Sequence, residues 1–297
     1  MSFKSGFASI IGRPNVGKST IMNKVVGEKI AIMSDKPQTT RNKVQSVLTT
    51  KDFQIVFLDT PGIHKPKNKL GEYMVKVATD TLNEVDVVLF VVDESKTIGP
   101  GDRMIIEDLR KVRTPIVLVI NKIDKLEKEE LILLMKKYDE EGIFDEIVPI
   151  SALKEGHLNS LVNTINKHLP QGPKYFPDDM ITDQPERVLI SELIREKVLH
   201  YVHEEVPHGV AVEVEQMKSR EGGNIIDISA VIYCERDSHK GIIIGKNGRK
   251  LKGIGKSARE DIQKLLGSKV YLQTWVKVKS NWRNMENYIN SFGYNNK

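Results

Sequence analysis

The 297-residue sequence has one cysteine, two tryptophans and an aromatic content of only 6%. The lone cysteine, Cys234, excludes an intramolecular disulfide and suits a reducing cytosol, with burial in a strand as its expected place. No Cys/His cluster has zinc spacing. Long apolar runs are also missing. Stretches such as Val87–Val92 fall far short of the ~20 residues that span a bilayer, and no signal peptide is expected. There is no heptad run or extra apolar repeat, so a monomer is expected.

What is present divides along the chain. The length suits two domains. Residues 1–169 alternate strand-like apolar runs with helical patterns such as Lys128–Tyr138, which predicts an α/β domain with a doubly wound, mostly parallel sheet. A segment at 170–187 follows, with four prolines between Pro170 and Pro185, and reads as a semi-rigid linker. Residues 188–297 form the remainder. Charge changes at the same point: residues 1–187 hold 27 Lys/Arg and 27 Asp/Glu, and residues 188–297 hold 18 and 13, so the net charge of +5 belongs to the second part. A basic appendage on a neutral domain points to a polyanion partner.

The neutral part carries four motifs in order. Gly12-Arg13-Pro14-Asn15-Val16-Gly17-Lys18-Ser19, with Thr20 after it, fits the G-x-x-x-x-G-K-[ST] phosphate loop between a strand (Phe7–Ile11) and a helix (Ser19–Val26). Its glycines leave room for backbone N–H groups around phosphate oxygens, Lys18 reaches the terminal phosphates, and Ser19 offers a hydroxyl to magnesium. Asp59-Thr60-Pro61-Gly62 ends the run Gln54–Leu58. Asp59 is expected to anchor magnesium from behind its direct ligands, and the Gly62 N–H to sense a γ-phosphate. Asn121-Lys122-Ile123-Asp124 ends Ile116–Ile120. The Asp124 carboxylate can accept two parallel hydrogen bonds from guanine, which adenine cannot supply, so GTP and GDP are the expected ligands. Lys122 would lie along the base, and Asn121 would tie this loop to the phosphate loop. Ser151-Ala152-Leu153, after Ile147–Ile150, offers a backbone N–H to the guanine O6.

A first switch should lie between the phosphate loop and Asp59, and Pro37-Gln38-Thr39-Thr40-Arg41 is the candidate. Spacing does not decide between Thr39 and Thr40 as its magnesium-reaching threonine. After Gly62, the position that orients water in well-studied small GTPases holds Ile63, which cannot hydrogen-bond to water, so slow intrinsic turnover is expected. His64, in a basic second switch, is read as facing solvent rather than as a general base.

In the basic part, Ile244-Gly245-Lys246-Asn247-Gly248-Arg249-Lys250-Leu251 matches the I-G-x-x-G-x-x-[IL] core of a KH domain. In such domains a Gly-x-x-Gly loop between two helices clamps about four single-stranded nucleotides. The surrounding pattern supports it: a helix (Ser191–Glu205), strands (Val210–Gln216, Ile225–Tyr233), two helices around the glycines, a strand (Val270–Lys279) and a last helix (Trp282–Phe292). That αββααβ order is the type II KH arrangement. Ile244, Gly245, Lys246, Asn247, Gly248, Arg249 and Lys250 are the candidate RNA contacts.

Taken together, the two halves resemble the Era family of bacterial GTPases, within the TrmE-Era-EngA-like superfamily, over nearly the whole length. The resemblance implies a GTP-hydrolysing switch that takes up the 3′ end of 16S ribosomal RNA and acts in assembly and maturation of the 30S ribosomal subunit. It favours Thr40 over Thr39, because the Thr-Arg pair belongs to the family pattern. It gives Lys18, Thr40, Asn15 and Gly62 the catalytic roles, with Mg2+ on Ser19, Thr40 and Asp59, and proposes Asn15 as ligand to a K+ ion that replaces an arginine finger. It also implies a cytoplasmic protein with a peripheral contact at the inner membrane surface. Two other readings stand beside it: a nucleotide-gated RNA scaffold with little turnover, and a membrane-surface signalling GTPase.

Overall fold

A computed structural model describes residues 2–294, apart from 35, 37, 63–65, 83 and 223 and the side chain of residue 155. Pro37, Ile63 and His64 therefore lie outside the described residues. The chain divides into two compact units.

The first unit is built on a six-stranded sheet. Its strands are β1 (Lys4–Ile11), β2 (Val44–Thr49), β3 (Phe53–Asp59), β4 (Val87–Val92), β5 (Ile116–Ile120) and β6 (Glu146–Pro149), in the order β2-β3-β1-β4-β5-β6. All pairings are parallel except β2 with β3. The central strands are buried on both faces, as in the fully buried Val-Val-Leu-Phe-Val-Val of β4, because helices cover a parallel sheet from both sides. One core joins Ala8, Ile10, Val117 and Val119 to α1 (Lys18–Val26) and α5 (Glu155–His168). The other joins Ile11, Phe90 and Leu118 to α2 (Lys69–Thr81), α3 (Pro100–Leu109) and α4 (Lys128–Asp139). Strand order reverses beside β1, which places the carboxyl ends of β1, β3, β5 and β6 around one crevice.

The proline-rich segment is not a free linker. Residues up to Asp183 cluster with the first unit. The Pro170 carbonyl accepts from the Ser5 N–H (3.1 Å) and the Ile181 carbonyl from the Val47 N–H (2.8 Å). Gln54 Oε1 accepts from the Tyr175 and Phe176 N–H groups (2.8 and 3.0 Å). Proline stops helix formation but leaves every carbonyl free to pair with a sheet edge.

The second unit holds α6 (Glu186–Tyr201), β7 (Ala211–Ser219), β8 (Ile225–Cys234), α7 (Asp237–Ile244), α8 (Arg249–Leu266), β9 (Lys269–Val278) and α9 (Glu286–Ser291). Residues 32–39 and 67–70 cluster with it. The sheet order is β7-β8-β9, antiparallel then parallel, and its apolar face packs on α6, α7 and α8 through Ile194, Val198, Ile228, Ala230, Ile243, Ile254 and Ile262. Helix α6 starts at Glu186, so residues 186–187 form its first turn rather than the end of a linker. The expected last helix is two pieces, a 3₁₀ turn at Trp282–Asn284 and α9, broken where Met285 takes extended dihedrals.

Candidate functional site

The phosphate loop leaves β1 at Ile11 and enters α1 at Lys18. Gly12 has φ 149°, and a Cβ there would lie 2.3 Å from the Val91 carbonyl oxygen. Gly17 has φ 104°, and its Cβ would meet Asn121 Nδ2 at 2.3 Å. Both positions therefore exclude a side chain. Lys18 is buried, and its ammonium donates to the carbonyls of Gly12 (3.1 Å) and Arg13 (3.0 Å). Burial pushes that ammonium down to about 8, against the pull of Asp59.

Three oxygen-bearing side chains from three segments meet beside it. Ser19 Oγ donates to Asp59 Oδ2 at 2.8 Å and lies 3.2 Å from Thr40 Oγ1, which donates to the same carboxylate oxygen at 3.3 Å. Burial raises the Asp59 carboxyl, while Lys18, Ser19 and Thr40 hold it down. Asp59 Oδ1 is buried with no hydrogen-bond partner among the described residues. Hard oxygens with one carboxylate oxygen left over fit a magnesium ion. Thr39 turns elsewhere: its hydroxyl donates to the Lys36 carbonyl (2.6 Å), and its own carbonyl accepts from the buried Arg195.

Asn121 joins the remaining motifs. Its Nδ2 donates to the Val16 carbonyl at 2.8 Å, and its Oδ1 accepts from the Ala152 N–H at 3.0 Å. The Ser151 N–H donates to His157 Nδ1 at 3.0 Å. Asp124 is exposed, and its carboxyl is held below the ordinary carboxylate range, chiefly by the Ser151 hydroxyl. Lys122 takes a left-handed φ of 63° and reaches Glu94 at 3.5 Å. Leu153 stands exposed. Thr60 Oγ1 donates to the Ile10 carbonyl (3.0 Å), which leaves Thr60 a structural tie between β3 and β1. Pro61 is buried. A Cβ on Gly62 would sit 3.0 Å from the Pro14 nitrogen, so that glycine permits a close approach to the phosphate loop. Thr20 is half-buried in the first turn of α1, and Asn15 is exposed with φ 69°, a conformation asparagine tolerates.

The Arg13 side chain is engaged by two carboxylates. It is held by the fully buried Asp102 of α3 (2.7 Å) and by Asp93 after β4 (3.0 Å). Neither carboxylate belongs to a nucleotide motif, and only a basic residue at a variable loop position hinted at the clamp.

The second unit has an open groove. Gly245 has φ 70° and ψ 173°, a region essentially reserved for glycine, and a Cβ there would lie 2.8 Å from the Lys250 Cγ. The Lys250 stem thus packs against the glycine loop, while Lys246, Asn247 and Arg249 are exposed and Ile244 packs against the core. Helix α8 begins after Gly248 without a side-chain cap, and the Arg249 N–H turns back to the Lys246 carbonyl. Ile254, Ala258 and Ile262 turn to the core, and the periodicity carries Arg249, Lys252, Lys256 and Arg259 along the other side. These four, with Gly248 and with Leu272 and Thr274 of β9, line a groove of about 690 Å³. The β9 wall was not visible in the sequence pattern.

Comparisons with known proteins match both units of the chain. Residues 7–122 match the family described as 50S ribosome-binding GTPase, and residues 205–283 match the KH domain. GTPase Era of Clostridioides difficile (strain 630) is 73% identical over 296 residues, covering 99% of this chain and 100% of that protein. GTPase Era of Alkaliphilus oremlandii (strain OhILAs) is 69% identical over 294 residues, with coverage of 99% and 100%. Among solved structures, Era in complex with MgGDPNP and nucleotides 1506–1542 of 16S ribosomal RNA superposes with TM-score 0.95 at 44% identity, covering 98% of this chain and 99% of that one. A variant of Aquifex aeolicus Era bound to GDP and AlF4⁻ gives TM-score 0.94 at 43% identity, with the same coverage. With a phosphate loop, a guanine-reading loop and a glycine-loop groove in one chain of matching length, the protein belongs to the Era family of GTPases.

Proposed function

We propose that this protein is a GTP-hydrolysing switch that binds the 3′ end of 16S ribosomal RNA through its KH unit and acts in assembly of the 30S subunit. The observation that carries the nucleotide half is the meeting of Ser19, Thr40 and Asp59 beside Lys18. In this reading Ser19 and Thr40 hold Mg2+, Asp59 orients them, and Lys18 and the loop N–H groups receive the β- and γ-phosphates. Magnesium, when bound, neutralises charge that develops on the phosphoryl oxygens. Asp124 reads the guanine, a backbone N–H of the Ser151–Leu153 loop meets its O6, and Asn121 holds the two halves of the pocket in register.

Thr40 and Thr39 are adjacent, yet Thr40 answers to the phosphate site and Thr39 to Arg195 of α6. A γ-phosphate that orders Thr40 and the Gly62 N–H orders both switches, which gives nucleotide state a route to RNA affinity. The solved relative that carries MgGDPNP together with 16S RNA nucleotides supports that pairing of ligands. Asn15 is assigned to K+, in place of an arginine finger, and turnover is slow without it.

The test is GTP hydrolysis in potassium against sodium, with and without a short RNA copying the 3′ end of 16S ribosomal RNA. Stimulation by both is expected. A flat, near-zero rate in all four conditions would overturn the switch reading in favour of a scaffold.

A further inference from the structure

The two tryptophans have opposite surroundings. Trp282 is fully buried and donates its indole N–H to the Gly209 carbonyl at 2.9 Å, while Trp275 is 45% exposed. Trp275 stands on β9, an edge strand, where successive side chains alternate between the two faces of the sheet. Leu272 and Thr274 point to the helix side and wall the groove. Tyr271, Gln273 and Trp275 are exposed on the opposite face, with Tyr271 at 48%. One strand therefore supplies the far wall of the groove and, over its open edge, a pair of aromatic rings. The rings are four residues apart, roughly 13 Å along a strand.

The surroundings of the rings suit bases rather than phosphates. The Arg220 guanidinium lies 5.4 Å over the Tyr271 ring and is paired with Asp227 at 2.7 Å. Lys277 is paired with Glu215 at 3.1 Å. Gln273 Nε2 donates to Tyr271 Oη at 3.3 Å, which leaves its carbonyl oxygen for a base edge. Arg220 and Lys277 are thus each engaged by a carboxylate, while Lys218, opposite Asp227, and Lys269 are exposed toward one end of the face. Between them stand flat π-faces and an amide. Such a surface holds single-stranded nucleic acid by stacking, which every base can do.

We propose that Tyr271 and Trp275 form a base-stacking platform that takes the RNA strand where it leaves the glycine-loop groove and crosses the β9 edge. This rests on the groove being an RNA site. It adds a second, salt-insensitive contact for nucleotides beyond the four that a Gly-x-x-Gly groove clamps. The groove grips through exposed cations and weakens with salt; the platform does not.

The test uses the full chain with Mg2+ and a GTP analogue. One set of RNAs is tetranucleotides tiled across the 16S 3′ end, and the other is the best of these extended at its 5′ or 3′ side to about ten nucleotides. With Trp282 buried, a change in the exposed indole's emission reports on Trp275. Expected results are quenching by one extended RNA but not by the tetranucleotide, and about fivefold or greater loss of affinity for that RNA in both W275A and W275L, with tetranucleotide affinity and the salt slope unchanged. W275L keeps an apolar side chain of substantial volume, so a loss shared by both variants reports stacking rather than packing. Unaltered affinity for the extended RNAs, or an equal loss for the tetranucleotide, overturns the platform alone. If the unmodified protein binds none of the RNAs, the groove assignment falls and the platform with it.

Discussion

The phosphate loop and the glycine loop of the second unit each turn on two glycines, and the space around those glycines differs. A Cβ on Gly12 or Gly17 would collide with the Val91 carbonyl or the Asn121 amide, whereas in the second loop a Cβ on Gly245 meets only the Lys250 stem, at 2.8 Å, and one on Gly248 meets nothing within 4 Å. The first site is closed in by the protein itself, with a buried lysine, a buried carboxylate and an asparagine bridging two loops. The second is left open, with its charges in water. Recognition at the first comes from a few desolvated donors whose geometry is fixed beforehand, which favours selectivity. Recognition at the second comes from many screened charges, each contributing little.

The sharpest way to break this contrast is at the guanine. Asp124→Ala should reduce GTP affinity by roughly 10²–10⁴-fold, because two hydrogen bonds to a charged acceptor are lost. Titration with GTP and ATP analogues checks it, and a change under threefold would remove Asp124 from the base-reading role. Next, Lys18→Ala should lower single-turnover hydrolysis at saturating GTP by about 10²–10³-fold, the scale for loss of one preorganised donor to a transition state.

The open site should respond more gently. Gly245→Ala forces an alanine into φ 70°, ψ 173° against the Lys250 stem and should cost RNA affinity through about 1–3 kcal/mol of strain. Gly248→Ala, at φ 71° in open space, should cost less. Equal losses in the two variants would mean that the groove is not as open as its geometry indicates. Lys256→Ala should weaken RNA binding similarly for every sequence and reduce the salt slope by about one, read from affinities across a salt series.

The smallest effect concerns the second unit alone. Burial pushes the Cys234 thiol up to about 11 from 9. The native state keeps a proton that the unfolded chain releases, so this contribution to stability is complete below pH 9 and is lost as pH rises through 11. Denaturant midpoints against pH, with Cys234→Ser as control, would reveal it. A native thiol that reacts with alkylating reagent at pH 8 as fast as a free one would contradict the burial.

Much of the nucleotide site was legible because its chemistry sits in contiguous motifs, each at the carboxyl end of an apolar strand. Ser19 and Asp59 could be anticipated from such spacing, and Thr40 over Thr39 only from the family resemblance, whereas the Arg13 clamp could not be anticipated at all. Asp93 and Asp102 lie far from Arg13 in sequence, and no period links them. The 170–183 segment was legible as non-helical but not as packed, because many of its bonds come from backbone carbonyl and N–H groups that carry no residue signature. Strand β2 was missed for a similar reason. Its residues are partly polar, and its antiparallel place beside β3 is set by pairing rather than by an apolar run. In the second unit, the glycines and the αββααβ order were readable, while the outward residues of β9 mean little until the strand is known to be an edge.

The Ala152 N–H is covered by neither helix nor sheet; a side chain from another loop, Asn121, holds it, and the same side chain grips the Val16 carbonyl of the phosphate loop. In deuterium exchange this one proton is then a clock for the pocket. It is released each time Asn121 lets go, so its lifetime counts how often the base-reading and phosphate-binding halves separate, with and without nucleotide, and with no label attached.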